Sequence, residues 1–312
     1  MEKNSKIFVA GHRGMVGSAI VRKLLELGFD NILTAPKASL DLKDQSSVRL
    51  FFQREKPDYV FLAAAKVGGI HANMTQQGDF LYENIAIQSN VIHEAWKAGT
   101  KKLVFLGSSC IYPRACPQPM KEEFILTGPL EPTNEGYAIA KLAGLKMCEF
   151  YHKQHGFNAV SVMPPNLYGP NDSFDLAHSH VLSALVRKFV DAQDQGLDSV
   201  EVWGTGAAMR EFMHVDDMAA ATIFAMLRYE EPTFINVGTG EEVSIKQLAE
   251  MIGRKVGFAG SISWNTEKPD GMPRKVMDSS RMKALGFSPS ITLEQGVAQM
   301  IEVYKQWKTA GR

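Results

Sequence analysis

A chain of 312 residues is long enough for one large α/β unit or two coupled domains around a substantial core. Hydrophobic residues make up 45% and charged residues 22%, and 34 Lys plus Arg balance 34 Asp plus Glu, so the basic excess of a nucleic-acid-binding surface is absent. The three cysteines, Cys110, Cys116 and Cys148, form no C-x-x-C pair, and no signal-peptide core or bilayer-length apolar run is present. The composition therefore points to a reduced, cytoplasmic protein with no disulfide framework, no metal and no membrane partner.

The first half alternates short apolar runs with stretches of helical spacing. Strands are predicted over 6–10, 31–34, 59–62, 103–106 and 159–163. Helices are predicted between them over 15–27, 45–54, 80–97 and 137–155. Continuous apolar strands separated by helices indicate a parallel sheet covered on both faces, the doubly wound Rossmann form of the α/β class. After Asn166 the texture changes to loops rich in Gly, Pro and Asn. Helices follow over 181–193, 215–228, 244–255 and 291–307, with strands over 200–203 and 234–237; the segment 267–275 reads as a loop ordered when ligand is bound. This divides the chain into a nucleotide-binding domain over 1–165, rejoined by 214–240, and a smaller α/β substrate domain over 166–312.

Gly11-His12-Arg13-Gly14-Met15-Val16-Gly17 lies between the first strand and the first helix. Glycines there allow a tight turn and close approach of backbone to a pyrophosphate, which meets unpaired N–H groups at the helix N-terminus. Sites for NAD commonly carry an acid after the second strand to hold the ribose hydroxyls. Here the residues are Thr34-Ala35-Pro36-Lys37, with no acid. Arg13 and Lys37 can instead clamp a 2′-phosphate, which assigns NADP(H) as the cofactor.

Tyr137 and Lys141 lie four apart on a predicted helix and so share one face. An ammonium beside a phenol lowers the phenol pKa, which would make Tyr137 a general acid or base near neutrality. Ser108, at the carboxyl end of the fourth strand, is placed to bond the same substrate oxygen. The trio describes hydride transfer to or from a carbonyl.

The glycine turn, the serine and Y-x-x-x-K together resemble the extended short-chain dehydrogenase/reductase family. The segments AGHRGMVGSAI, AAAKVGGIHAN, FLGSSCIYP, EPTNEGYAIAKLAG, NLYGP, WGTGAAMREFMHVDDMA, INVGTG and KPDGMPRK narrow the resemblance to its GDP-L-fucose synthase branch, from about Lys6 to the C-terminal helix. That branch epimerises C3 and C5 and reduces C4 of GDP-4-keto-6-deoxy-D-mannose. The resemblance implies a homodimer, with Cys110 as base and His180 as opposing acid. It implies cofactor contacts from Asp41, Leu42, Leu106, Gly107, Ser109, Lys141, Pro164, Pro165, Asn166, Leu167 and His180 as well as from the glycine turn. Substrate contacts fall to Lys188, Trp203, Arg210, Asp270 and Lys275.

The chain departs from that pattern at Gly136, where proline is expected, at Pro165 for threonine, at Lys188 for arginine and at Ala35 for a second cofactor-binding arginine. These leave room for a sibling enzyme acting on another GDP-4-keto sugar, a colitose or heptose precursor. A 4,6-dehydratase would need an acid beside Ser108, where Ser109-Cys110 stands, and a UDP-sugar 4-epimerase would need the missing acid after the second strand. A non-catalytic dinucleotide-binding scaffold would not need the complete trio.

Overall fold

The computed structural model describes residues 1–176, 179–268 and 270–310. Its centre is a six-stranded parallel sheet in the order β2 (Ile32–Leu33), β1 (Ile7–Ala10), β3 (Tyr59–Leu62), β4 (Lys102–Leu106), β5 (Ala159–Met163) and β9 (Ile235–Asn236). Strand residues alternate between two cores, as the pleat demands. Ile7, Val9, Phe61, Val104 and Val160 face one core with helices α1 (Met15–Glu26) and α7 (Val215–Arg228). Phe8, Val60, Leu62, Leu103 and Phe105 face the other with α2 (Gln45–Glu55), α4 (Gln77–Lys97) and α5 (Glu135–His155). The sheet is therefore covered on both faces, and the fold is the doubly wound form expected. All six strands point one way, so their carboxyl ends form a single edge.

A third core joins α6 (Val181–Gln195), α8 (Ile245–Val256) and α10 (Leu293–Thr309) to smaller sheets. In one of these, β8 (Met209–His214) pairs with β6 (Asn166–Tyr168), β10 (Glu242–Ser244) and β12 (Arg274–Lys275). In another, β7 (Ser199–Trp203) pairs with β11 (Ser261–Asn265). The starts of α8 and α10 are fixed by capping boxes, Ser244 with Gln247 and Thr292 with Gln295, which satisfy N–H groups the helices leave free. The buried carboxylate of Asp217 on α7 accepts from Ser290 N–H, Ser290 Oγ and Ile291 N–H, tying the approach to α10 to the main body.

Several elements differ from the expectation. The short helix α3 (Ile70–Thr75), helix α9 (Ser280–Ala284) and strands β6, β8, β10, β11 and β12 were not legible. The segment 267–275, expected as a loop, ends in strand β12, whose residues take register with Met209 and Arg210. Among the described residues no helix is long and apolar enough to cross a membrane.

Candidate active site

The site forms along the carboxyl edge of the main sheet. After β1 the chain turns at Gly11 with φ +87°, and Gly17 packs so closely that a Cβ there would lie 2.1 Å from Gly11 O. Only glycine permits that approach. Gly14 caps α1 without a side-chain hydrogen bond, and the first turn of α1 carries no acid, so the N–H groups and positive end of the helix are left without a side-chain partner there. Met15 and Val16 anchor the turn on the core beneath, and burial, then Arg13, holds His12 below the usual histidine range. Beyond β2, Lys37 is exposed like Arg13, and neither enters an ion pair among the described residues. Asp41 accepts from Lys43 N–H, and Leu42 O accepts from Asn90. The turn, the free helix end and two unpaired cations fit a dinucleotide carrying an extra phosphate.

Strand β4 ends at Leu106, and Gly107 leads into Ser108, whose Oγ accepts from Cys110 N–H at 3.4 Å and caps a short 3-10 turn over Ser109–Ile111. This brings Ser108 and Cys110 to one end of one strand. Tyr137 enters from the first turn of α5, within electrostatic reach of Ser108 and packed edge-on against Phe80 at 6.2 Å between ring centroids. Lys141, one turn on, donates to Leu106 O at 2.7 Å. Burial lowers its pKa to about 8, with Cys110 opposing.

The expectation that Lys141 lowers the Tyr137 phenol is not met. Lys141 Nζ stands 5.8 Å from the Tyr137 ring centroid and spends its hydrogen bond on the strand carbonyl. Loss of hydration pushes the phenol up, Cys110 reinforces this, and only Ser108 opposes it. Tyr137 is therefore protonated at neutral pH, the state that delivers a proton to a carbonyl oxygen. Burial likewise pushes the Cys110 thiol up, against the pull of Lys275, Ser108 and Lys141.

His180 forms the N-cap of α6 and keeps 45% of its side chain accessible. Its Nδ1 lies 3.5 Å from Asp172 Oδ1, and that hydrogen-bonding partner raises the imidazole pKa against burial and the charge of Lys275. Cys110 and His180 thus both lie within electrostatic reach of Lys275. Lys275 on β12 is paired in register with Arg210 on β8, and burial lowers the pKa of both. Arg210 donates to Met209 O at 2.8 Å and Asp270 O at 3.3 Å, and neither cation is ion-paired to a carboxylate among the described residues. Two depressed cations side by side without a counter-ion suit an anionic ligand.

Lys188 donates to Glu201 O at 2.8 Å and lies 5.8 Å from the ring of Trp203, which is 59% exposed. Lys268, which sequence reasoning missed, lies over the same ring at 5.3 Å. Nothing in the EKPDG string marks it; the fold of two loops brings it to the tryptophan. Asp270 does not point free: its two oxygens accept from Thr205 N–H at 2.7 Å and Thr205 Oγ1 at 2.8 Å. Pro164 and Pro165 are buried where the chain leaves β5 for β6, and Asn166 donates to Glu211 O at 2.9 Å. Leu167 packs on the core beneath α1.

Gly136 has a local cause. Its N–H donates to Gln77 Oε1 at 3.0 Å, and a Cβ on it would lie 2.5 Å from Gln77 O. A proline would lose the bond and meet the backbone of α4.

A doubly wound sheet with a glycine turn after its first strand and a Ser–Tyr–Lys group beyond its fourth defines a class of dinucleotide enzymes. The chain belongs to the NAD dependent epimerase/dehydratase family, whose model matches residues 7–238. It is 56% identical over 303 residues to GDP-L-fucose synthase 1 of Arabidopsis thaliana, covering 97% of this chain and 94% of that one. The crystal structure of a GDP-6-OMe-4-keto-L-xylo-heptose reductase from C. jejuni superposes with a TM-score of 0.93 at 39% identity, covering 98% and 99% of the two chains. A GDP-D-glycero-L-gluco-heptose synthase from Campylobacter jejuni, solved in the presence of NADPH, gives a TM-score of 0.90 at 40% identity, with coverage of 98% and 99%. The resemblance read from the motifs holds over nearly the whole chain.

Proposed function

We propose that this protein converts GDP-4-keto-6-deoxy-D-mannose to GDP-L-fucose by epimerisation at C3 and C5 and NADPH-dependent reduction at C4. The observation that carries the reading is the gathering of Ser108, Cys110 and Tyr137 beyond the end of β4, with Lys275 in electrostatic reach of Cys110 and Arg210 beside Lys275 in register. Identity of 56% to a GDP-L-fucose synthase, against 39% and 40% to the heptose enzymes, supports the fucose precursor.

The cofactor is NADP(H), held through the Gly11–Gly17 turn, with Arg13 and Lys37 on the 2′-phosphate. When bound it supplies the hydride that reduces C4. The same edge of the sheet offers Leu106, Gly107, Ser109, Pro164, Pro165, Asn166 and Leu167 to its nicotinamide half. Ser108 and Tyr137 hold the C4 oxygen. Tyr137, kept protonated by burial, gives its proton to that oxygen as charge develops. Lys141 holds positive charge behind the tyrosine while fixed to Leu106 O.

The same oxygen serves the earlier chemistry. A proton on C3 or C5 is acidic because the electron pair left behind delocalises onto the C4 oxygen, where Ser108 and Tyr137 stabilise it. Cys110 takes the proton, with Lys275 favouring its thiolate against the burial that pushes the thiol up. His180 returns one from the other face, inverting the centre. Arg210, Lys275, Lys188 and Lys268 neutralise the diphosphate, and Trp203 offers the nucleoside an aromatic face. Exposed Tyr82 and Ile85 on α4 and Ile139 and Phe150 on α5 support a homodimer paired through these helices, and three free buried cysteines suit a cytoplasmic enzyme.

A sibling activity on another GDP-4-keto sugar is favoured by one set of observations, the substitutions at Gly136, Pro165 and Lys188. Incubation with GDP-4-keto-6-deoxy-D-mannose and NADPH in deuterated water separates the readings. The expected result is NADPH oxidation, deuterium at C3 and C5, and GDP-L-fucose as product. Reduction without exchange would mark a pure C4 reductase, and neither oxidation nor exchange would leave only a dinucleotide-binding scaffold.

A further inference from the structure

The carboxylate of Asp172 is 95% enclosed by protein, with side-chain exposure of 5%, and has no lysine or arginine partner among the described residues. A buried negative charge without a cation is costly unless hydrogen bonds and a nearby positive group compensate it. Two of its contacts are hydrogen bonds: Ser183 Oγ donates to Oδ2 at 2.5 Å and Ser173 N–H donates to Oδ1 at 2.9 Å. Among the described residues the further one is His180, whose Nδ1 lies 3.5 Å from Oδ1.

The placement of these groups is specific. His180 is the N-cap of α6 and Ser183 stands in its first turn, buried completely, so the hydroxyl that grips Asp172 is fixed to the helix that carries the histidine. The loop bearing Asp172 is itself closed by Asp172 N–H donating to Gly169 O at 3.1 Å. With Nδ1 turned to the carboxylate, the other ring nitrogen, Nε2, is left for a ligand, and the ring keeps 45% of its surface open.

We propose that Asp172 is a positioning residue for His180, fixing the imidazole through Nδ1 so that Nε2–H is delivered to the sugar carbon during epimerisation. The inference rests on the epimerase reading above. In the step, imidazolium Nε2–H breaks and a C–H bond forms at the carbon of the enolate, whose electron pair makes the bond. The enolate charge is thereby quenched, the imidazole becomes neutral, and solvent later restores its proton. Asp172 stabilises the imidazolium form in which the step begins. Among the described residues Asp172 raises the proton affinity of the ring, while burial and Lys275 from β12 oppose it, as does the positive end of α6 that His180 caps.

The test is Asp172→Asn, which keeps an oxygen for Ser183 and removes the charge. Solvent deuterium exchange at C3 and C5 at neutral pH is expected to fall by about tenfold to a hundredfold. NADPH oxidation with a 4-keto sugar supplied already epimerised is expected to stay at the parent rate. The acidic state of His180, followed by NMR titration with His180→Asn for assignment, is expected to weaken, moving the exchange profile to lower pH. Asp172→Glu should recover part of the exchange, and Asp172→Asn in a His180→Asn background should add no further loss. Parent-like exchange together with an unchanged His180 titration in Asp172→Asn would overturn the proposal and leave Asp172 as a loop anchor only. Should Asp172→Asn not fold, Ser183→Ala, which loosens the carboxylate, is read the same way: loss of exchange with hydride transfer intact supports the proposal, and full exchange refutes it. Absence of exchange in the parent protein would instead refute the epimerase reading, while the NMR titration would still decide whether Asp172 governs His180.

Discussion

Replacement of Gly136 tests whether the start of α5, and with it Tyr137, is set by contact with α4. An alanine Cβ would lie 2.5 Å from Gln77 O and 3.1 Å from Gln77 C, a clash with backbone that no side-chain rotation relieves. Overpacking of this kind costs about 1–3 kcal/mol, offset by up to about 1 kcal/mol from the better helix propensity of alanine. Proline meets the same obstacle and also removes the N–H that donates to Gln77 Oε1 at 3.0 Å. That adds about 1 kcal/mol, set against about 0.4–1 kcal/mol from a stiffer unfolded chain. The ring itself is tolerated in a first helical turn, so the penalty comes from the neighbour rather than from the helix. The expected order of stability is Gly, then Ala, then Pro, with the proline variant about 1–3 kcal/mol below the parent by these terms. Thermal melts followed by circular dichroism should show a loss of about 2 °C for each kcal/mol in a chain of this size. Because Tyr137 is the next residue, kcat for NADPH oxidation should fall about tenfold or more, since displacements near 1 Å at a reacting group cost up to about a hundredfold. A proline variant that melts at or above the parent with unchanged kcat would refute the contact argument.

Three other outcomes follow from charged groups of the site and core. Lys141 is held at about 8, so its positive charge is lost as pH rises through that value, and hydride transfer should decline there; a rate that stays flat to about pH 10, where an ordinary lysine titrates, would remove Lys141 from the electrostatics of Tyr137. Neutralising Arg13 and Lys37 to alanine should raise the KM for NADPH by about tenfold to a hundredfold per lost charged hydrogen bond and leave that for NADH nearly unchanged; equal factors for the two cofactors would count against the 2′-phosphate clamp. Lys102, buried beneath the end of α7 with its ammonium on Ala225 O and Tyr229 O, has a pKa lowered to about 8 from 10.5. Between those values the unfolded chain binds the extra proton, so stability rises with pH across the window. Lys102→Met should flatten that rise without abolishing it, because Lys141 is shifted the same way; denaturant melts from pH 8 to about pH 10 check the slope.

The main sheet was legible because its strands are continuous apolar runs buried on both faces, such as 59–62, and its helices have long, regular periods. Helix α7 falls where the pattern places it, over Val215–Arg228. The second sheet was not legible. Strand β8 reads Met-Arg-Glu-Phe-Met-His, and its charges disguise a strand whose Glu211 is wholly buried by accepting from Met277 N–H and Gly240 N–H at 2.8 Å each. Strands of two or three residues, like β10 and β12, carry too few positions to show alternation. In the site, Tyr137 and Lys141 announce themselves because their spacing is local, and Ser108 because it follows a legible strand. Lys268 and Asp172 depend on where loops land, which no spacing encodes. The direction of the Tyr137 shift could not be read from a Y-x-x-x-K pattern, because it depends on which carbonyl Lys141 reaches and how much water the phenol keeps.

The bonds from Asp270 to Thr205, 65 residues apart in the chain, extend the pairing of β7 with β11, in which Trp203 and Asn265 are register partners. Trp203 lies two residues before Thr205, Lys268 stands over its ring, and Arg210 donates to Asp270 O. These groups consequently form a braced plate instead of separate fingers. On the proposed reading, a nucleotide docked on Trp203 meets these contacts together. On that reading, a change in one of these contacts disturbs its neighbours at the nucleotide end of the site.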